Sequence, residues 1–203
     1  MITASLIPVI LASQSAVRRT LLAGAGVAFQ ALSSGVDEAP IAEALVASGA
    51  GPAQVAAELA AAKALAVSAS HPHALVIGAD QTLEFDGVLH GKAESVDEAR
   101  ARLLAWRGRL HHLHAGVVLA RGGEIVWRLT RTSTLTVRAF SDAFLDVYMA
   151  RAGEALLAAV GGYELEGLGI QLFERVEGDY FAVLGLPMVE LLAALRDFGG
   201  LEA

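Results

Sequence analysis

The sequence predicts an α/β protein built on a mixed, twisted β-sheet. Short apolar runs of the buried-strand type alternate along the chain with segments of helical pattern. Glycine-containing turns join some of the strands as hairpins, which adds antiparallel pairs to the parallel ones. The 203 residues are 55% apolar and 18% charged, without a linker, a repeat or a low-complexity tail. We therefore expect a single domain over residues 1–203 with a sizeable core.

The chain begins with a predicted strand, a tight turn and a helix. The apolar run "LIPVILA", residues 6–12, is typical of a buried strand. Ser13 and Ser15 follow it as candidate N-cap residues for a helix over residues 16–26, which ends at its glycines.

A long helix and a second buried strand follow. The alanine-rich segment 52–68 predicts a helix, because its proline occupies the first turn, where a missing N–H is tolerated. The run "ALVIGAD", residues 74–80, predicts a strand with Asp80 at its mouth. The segments "TLEF" and "VLH" then flank Asp86 and Gly87, a dipeptide that favours a type I′ hairpin turn.

The centre of the chain predicts a capped helix and then a long hairpin. Ser95 and Glu98 have the spacing of a capping box, and Gly108 marks the end of the helix. Residues 110–120 and 124–140 are apolar and β-branched, and the turn "RGG" joins them.

Three further elements complete the prediction. Ser141 caps a helix with the sequence "SDAFLDVYMARAG", and the apolar run "IQLF", residues 170–173, predicts another strand. Pro187 opens a final helix with the sequence "MVELLAALRDFGG".

Composition excludes several classes of function. The chain has no cysteine, so it forms no disulfide and has no thiolate nucleophile. No apolar run approaches the roughly 18–20 residues that a bilayer requires, and no basic flank precedes the first apolar run. A net charge of −7 disfavours general binding to nucleic acid, which depends on lysine and arginine. We expect a cytoplasmic protein that binds neither membrane nor nucleic acid.

The junction between the first strand and helix is a candidate anion site. Ser13, Ser15 and Arg18 lie where a strand meets a helix N-terminus, and free N–H groups and the helix dipole attract anions there. The alternative is an ordinary N-cap followed by an exposed arginine pair.

Two carboxylates and two lysines form a second candidate set. Asp80 and Lys92 flank the predicted hairpin, Glu38 lies in "SGVDEAP", and Lys63 lies in the alanine-rich helix. Carboxylates can bind Mg²⁺ and orient or deprotonate water, while lysines neutralise phosphate oxygens. The set therefore suits hydrolysis of a phosphoanhydride, although each residue alone also fits a solvated surface charge.

The histidines of "HHLH" are a weaker candidate. His112 and His114 would share one face of a strand and could bind zinc, but no third ligand is near them in the sequence. We interpret His111, His112 and His114 as packed or solvated side chains.

Five segments have the order and spacing of one known family, so that the chain resembles the Maf (septum formation inhibitor) family over nearly its whole length. They are "LASQSAVRRTLLAGAGVAF", "GVDEAP", "AAAKA", "VIGADQTLEFDGVLHGKAES" and "GGYELEGLGIQLFERVEGDYFAVLGLPMVELLAAL". The resemblance implies an elongated mixed sheet flanked by helices, similar to the inosine triphosphatases, with a nucleotide cleft between two lobes. It also implies a divalent metal, Mg²⁺ or Mn²⁺, and hydrolysis of a nucleoside triphosphate to the monophosphate and pyrophosphate. A homodimer is implied in the same way.

The resemblance also implies roles for individual residues. Asp80 matches the general base, and together with Glu38 it is the expected metal ligand. Ser13 and Arg18 match the phosphate-contacting loop, and we expect Ser15 beside them to bind substrate as well. Lys63 and Lys92 match the remaining charged residues of the cleft.

Two further positions indicate which branch of the family the chain resembles. Gln81 and Glu166 are typical of the branch that acts on 7-methyl-GTP, whereas the dTTP and UTP branch has Thr and Gln there. A Glu carboxylate can accept two hydrogen bonds from guanine, which pyrimidines do not offer. Val17 departs from this pattern, because the branch usually has an aromatic residue that could stack on the base.

The chain also departs from the family pattern at two other positions. Ala93 and Ala115 replace a proline and a threonine that are usual in the family.

Two alternative functions remain. They are a dTTP or UTP pyrophosphatase, and a non-catalytic nucleotide-binding regulator of cell division. The intact charged set favours an enzyme.

Overall fold

A computed structural model describes residues 6–202, and in this range the protein is an α/β fold on a mixed sheet. The strands are β1 (Val9–Leu11), β2 (Phe29–Ala31), β3 (Leu75–Phe85), β4 (Val88–His90), β5 (Leu110–Arg121), β6 (Glu124–Val137) and β7 (Phe173–Glu177). The helices are α1 (Ala16–Gly24), α2 (Glu38–Ala47), α3 (Pro52–Ser68), α4 (Val96–Trp106), α5 (Asp142–Ala152), α6 (Ala155–Ala158), α7 (Tyr180–Val183) and α8 (Met188–Asp197), with a 3₁₀ helix at Leu168–Leu172.

The sheet has the strand order β2-β1-β3-β5-β6-β7, and β4 pairs with β3 as a seventh strand. Strand β1 pairs in parallel with β2 and β3, and the other pairs are antiparallel. The predicted α/β class and mixed sheet are therefore confirmed. Within the described part of the chain, no helix is both long and apolar enough to cross a bilayer.

Strand β3 has one edge that is open in the middle. On that side β1 pairs only with Leu75–Ile77, and β4 pairs only with Leu83–Phe85. The segment between these pairings, residues 78–82, keeps β5 as its partner on the other side. Side chains of both faces of β3 can therefore reach the same gap, because no neighbouring strand separates them there.

Several local predictions are confirmed. The long helix covers Pro52–Ser68 as predicted, and the side chains of Ser15, Ser95 and Ser141 cap α1, α4 and α5. Asp86 has a φ of 52° and Gly87 a φ of 76°, which is the conformation that a type I′ turn requires. These features depend on a few neighbouring residues, and this is why the sequence predicts them.

Two predictions of strand limits are wrong. Asp80 does not lie at the mouth of a strand, because β3 continues through it to Phe85. Strand β5 pairs with β3 from Val76 to Glu84, on both sides of Asp80. The apolar run at 170–173 is mostly a 3₁₀ helix, and the strand begins only at its last residue. The elements β2, α2, α6 and α7 were not predicted, because they are short or weakly patterned.

The two largest groups of apolar side chains in the core lie on either side of the gap in β3. One group contains Leu83 with residues of α4, α5 and β6, and the other contains Ala79 with residues of β1, α1 and α8. Along β3, Ala79 still packs in one group and Leu83 packs in the other. The open edge therefore lies where two halves of the molecule meet. This agrees with the two lobes that the family resemblance implies.

Helix α3 lies directly against the sheet because two glycines face it. A Cβ atom on Gly78 would collide with the carbonyl oxygen of Ala60, and one on Gly116 would collide with the backbone at Ala56. Gly116 lies opposite Asp80 on β5. Close contact between α3 and the sheet therefore depends on the absence of side chains at these positions.

Replacing Gly78 by Ala should destabilise the protein. The added methyl group has no space, and overpacking of this kind costs about 1–3 kcal/mol. Thermal unfolding measures the effect, with Gly24→Ala as the matched control, because no atom lies within 4 Å of a Cβ at Gly24. An unchanged melting temperature for Gly78→Ala would contradict the close packing of α3.

Candidate active site

A cleft of about 880 Å³ lies at the open edge of β3. Its walls come from the start of α1, from α2 and α3, from the loop after β4, from residues 158–166 and from the end of α7. Because the edge of β3 is open here, Asp80 and Gln81 both line the cleft, although neighbouring residues of a strand point to opposite faces.

Lys63 lies between two carboxylates. Its Nζ is 2.7 Å from Asp80 Oδ1 and 2.8 Å from Glu38 Oε1. The side chains of Lys63 and Asp80 are 9% and 11% exposed, whereas that of Glu38 is 47% exposed. Three predicted residues, Glu38, Lys63 and Asp80, are thus in contact, and Glu38 lies in the first turn of α2. The second oxygen of each carboxylate is left for another partner.

Burial raises the pKa of the Asp80 carboxyl above its ordinary value, and the charge and hydrogen bond of Lys63 oppose the rise. Arg18 opposes it further, and Glu38 adds to it. Folding therefore favours the protonated form of Asp80 relative to the unfolded chain. A carboxyl with such a raised pKa is a stronger base than an ordinary aspartate once it is ionised.

Arg18 is buried in the wall of the cleft and is held by backbone carbonyl groups. Its Nε donates to Gly185 at 3.0 Å and its NH1 donates to Ala79 at 2.8 Å, so that α1, β3 and the segment before α8 are joined. Burial lowers the pKa of the guanidinium, and the charges of Asp80 and Glu38 oppose this. The alternative of an exposed arginine is therefore wrong for Arg18.

Ser15, Ser13 and Val17 surround the first turn of α1. The Ser15 hydroxyl accepts from the N–H of Arg18 at 3.4 Å and lines the cleft, as does Val17. The Ser13 hydroxyl accepts from the N–H of Ser15 at 3.2 Å and from Arg18 NH1 at 3.4 Å, but Ser13 is not among the cleft-lining residues. Ser13 is thus connected to the candidate anion site through Arg18.

Gln81 connects β3 to α7. Its amide nitrogen donates to the carbonyl oxygens of Ala182 at 3.2 Å and Val183 at 2.8 Å. These bonds fix the orientation of the amide, because a flipped amide would bring an oxygen to two acceptors. The side-chain oxygen therefore remains an acceptor for a molecule in the cleft.

Lys92 and Glu166 are exposed and line the cleft. Lys92 follows β4 by two residues, beyond the last paired residue of the hairpin, and it lines the same cleft as Asp80.

Sequence reasoning missed some residues of the cleft. Glu164 lines it two positions before Glu166, and His90 lines it two positions before Lys92. Spacing from a predicted residue is the signal that could have found both. The backbone of α7 also contributes, but no sequence pattern indicated that this short helix would dock on Gln81.

The histidines of β5 form hydrogen bonds with other side chains of the protein. His112 pairs with Thr134 at 3.0 Å, and His114 contacts Thr132 at 2.9 Å and Glu84 at 2.8 Å. His111 is buried and bonds the Tyr163 hydroxyl at 2.6 Å, and burial lowers its pKa to about 3. In residues 6–202 no group of three or more His, Cys, Asp or Glu side chains could hold a metal ion.

Comparison with known proteins identifies relatives of the chain. The sequence profile of the Maf-like protein family matches residues 8–198. A protein of Caulobacter vibrioides named nucleoside triphosphate pyrophosphatase is 55% identical over 197 residues, which cover 97% of this chain and 98% of that protein. A 7-methyl-GTP pyrophosphatase of Rhizobium meliloti is 49% identical, covering 96% and 98%. A protein of the same name from Brucella suis is 43% identical, covering 94% and 96%.

Proposed function

The chain belongs to the Maf family, and from this premise we propose that it is a nucleoside triphosphate pyrophosphatase. The reaction releases nucleoside monophosphate and pyrophosphate by hydrolysis between the α and β phosphates. The observation that supports this most directly is the placement of Lys63 between Asp80 and Glu38 in the wall of a cleft. A pure binding site for an anion would have no use for two carboxylates beside its buried cation, because they repel phosphate.

In this proposal Asp80 is the general base. Its Oδ1 is held by Lys63, so the carboxylate has one orientation and its second oxygen can accept the proton of a water molecule. The raised pKa of Asp80 increases its basicity. The proton leaves the water as its oxygen forms the bond to phosphorus, and the pyrophosphate oxygen is the leaving group.

Cations around the cleft would hold the triphosphate. Lys92 is exposed at the rim, and Arg18 is fixed in the wall beside the N-terminus of α1. Oriented N–H groups at a helix N-terminus and positive side chains both stabilise the charge that develops on phosphate oxygens. Lys63 opposes the rise that burial causes in the pKa of Asp80, and it would neutralise phosphate charge when Glu38 turns away.

The residues fit a divalent cation, Mg²⁺ or Mn²⁺. Glu38 and Asp80 each have one oxygen that is not bonded to Lys63, and Mg²⁺ is commonly bound by one or two carboxylates plus substrate phosphates. When bound, the cation would supply neutralisation of phosphate charge. Because substrate phosphates would supply further ligands, two carboxylates of the protein would be enough to bind the cation.

The base would lie beside Gln81 and Glu166. The Gln81 oxygen is an acceptor, and Glu166 offers a carboxylate to the N1–H and amino group of a guanine. We therefore propose 7-methyl-GTP as the preferred substrate. The alternative with Thr and Gln at these positions, a dTTP or UTP pyrophosphatase, lacks support from the residues that this chain has.

We expect the purified protein to release pyrophosphate from guanine nucleotides in the presence of Mg²⁺ or Mn²⁺, with 7-methyl-GTP and GTP ahead of UTP and dTTP in kcat/KM. Pyrimidines lack the donor pair that Glu166 would accept, and a hydrogen bond to a charged group contributes about 1.5–3 kcal/mol, which is roughly 10-fold or more in kcat/KM. The combined variant Gln81→Thr with Glu166→Gln should lose most of this preference, because an amide can donate or accept.

This experiment tests the pyrophosphatase activity and the preference for guanine independently of each other. Faster hydrolysis of dTTP or UTP by the wild type would overturn the guanine assignment and keep the enzyme. Nucleotide binding without release of pyrophosphate, with either metal, would instead support the non-catalytic regulator.

A further inference from the structure

The cleft has one aromatic ring that a ligand can reach. Among its lining residues in the described part of the chain, only His90 and Tyr163 carry rings. Tyr163 is 6% exposed, its hydroxyl is bonded to His111, and its ring packs edge-on against Phe173. His90 is only half-buried and lines the cleft, and from this we infer that its ring is the one within reach of a ligand.

The position of His90 relates it to the proposed base site. In the β3–β4 pair, His90 lies opposite Leu83, which is two residues after Gln81. His90 and Gln81 are therefore diagonal neighbours on one face, about 7–8 Å apart. Asp80 points to the other face of β3, and Leu83 is about 10 Å farther along the strand. The ring thus lies on the side of Gln81, away from the proposed general base.

Packing holds the imidazole in a fixed orientation. The ring is 5.9 Å from that of Trp106 at 87°, and 6.2 Å from that of Phe85 at 69°. Trp106 is 1% exposed and cannot itself contact a ligand. Burial lowers the pKa of His90, an effect that Arg102 increases and Glu98 opposes, so the ring is uncharged near neutral pH. An uncharged, immobilised ring is suited to stack on a nucleobase.

We propose that His90 is a base-binding residue whose ring stacks on the base of the bound nucleotide. This rests on the proposed function, and it explains how the cleft binds a base although Val17 offers no aromatic surface. Stacking would hold the base while Gln81 and Glu166 contact its edge. A methylated, cationic guanine would also gain from contact with an uncharged π-face.

The test separates binding of the base from binding of the phosphates. We expect His90→Ala to weaken binding of α,β-methylene GTP by roughly 10-fold or more, the effect of removing one stacked base contact. Binding of inorganic tripolyphosphate, which has no base, should not change. His90→Phe should restore nucleotide affinity, because the aromatic ring is retained. Calorimetry measures the affinities, and His112→Ala, a histidine outside the cleft, is the matched control.

Three outcomes would overturn the inference. These are unchanged nucleotide affinity in His90→Ala, equal losses for nucleotide and tripolyphosphate, or failure of His90→Phe to restore binding. The measurements do not require catalysis. If the wild type bound nucleotide through His90 but released no pyrophosphate, the stacking inference would stand and the proposed function would fail.

Discussion

Replacing Asp80 by Asn should lower kcat by at least about 100-fold, the smaller end of the contribution expected from a general base. The amide is nearly the same size and can still accept a hydrogen bond from Lys63 Nζ, which is 2.7 Å from Asp80 Oδ1 in the wild type. Fold and nucleotide binding should therefore be kept. Single-turnover release of pyrophosphate, together with the melting temperature and nucleotide affinity, measures the three properties.

The pH dependence gives a second measurement on Asp80. The base must be ionised, and burial raises the pKa of Asp80. The acid limb of kcat/KM should thus lie above the ordinary aspartate pKa of about 3.9. The raised pKa also means that the ionisation of Asp80 removes stability as pH rises through this range. Activity of Asp80→Asn within a few-fold of wild type would remove Asp80 from the role of base.

Replacing Lys63 by Met should damage both stability and activity. The side chain of Asp80 is 11% exposed and Lys63 is its closest cation, so the variant leaves a carboxylate buried without its partner. Removal of one member of a buried pair costs about 3–5 kcal/mol. The pKa of Asp80 should rise further, because Lys63 is the largest of the effects that lower it. The acid limb of the residual activity should move to higher pH.

Two controls separate the effects of Lys63. Lys92→Met removes an exposed cation from the same cleft, and it should weaken nucleotide binding while leaving the melting temperature unchanged. The combined variant Lys63→Met with Asp80→Asn should regain part of the lost stability without regaining activity, since no buried charge is left unpaired. A Lys63→Met protein as stable and as active as wild type would contradict the central place given to this lysine.

Which residues come together in the candidate site could be predicted from the sequence to a large extent. The residues Glu38, Lys63 and Asp80 were predicted as one charged set, and their side chains are in contact. Arg18 was predicted to bind phosphate in the cleft. Its hydrogen bonds to the carbonyl groups of Gly185 and Ala79 could not be predicted, because both residues are far from Arg18 in the sequence. The His90 ring was not predicted, because its exposure depends on Trp106 and Phe85, which pack beneath it.

The sequence by itself determined the α/β class, through the alternation of strand and helix patterns along the chain, and several local features: the caps at Ser15, Ser95 and Ser141, and the turn at Asp86 and Gly87. Each of these local features depends on a few successive residues whose dihedral preferences and hydrogen bonds are independent of the rest of the chain. The tertiary structure alone decided that β3 runs through Asp80 and keeps an open edge there. An apolar pattern specifies which face of a strand is buried, but the strands that pair along its edges come from distant parts of the chain. The candidate site lies where β1 ends opposite Ile77 and β4 ends opposite Leu83, on either side of Asp80, and only long-range pairing sets that gap.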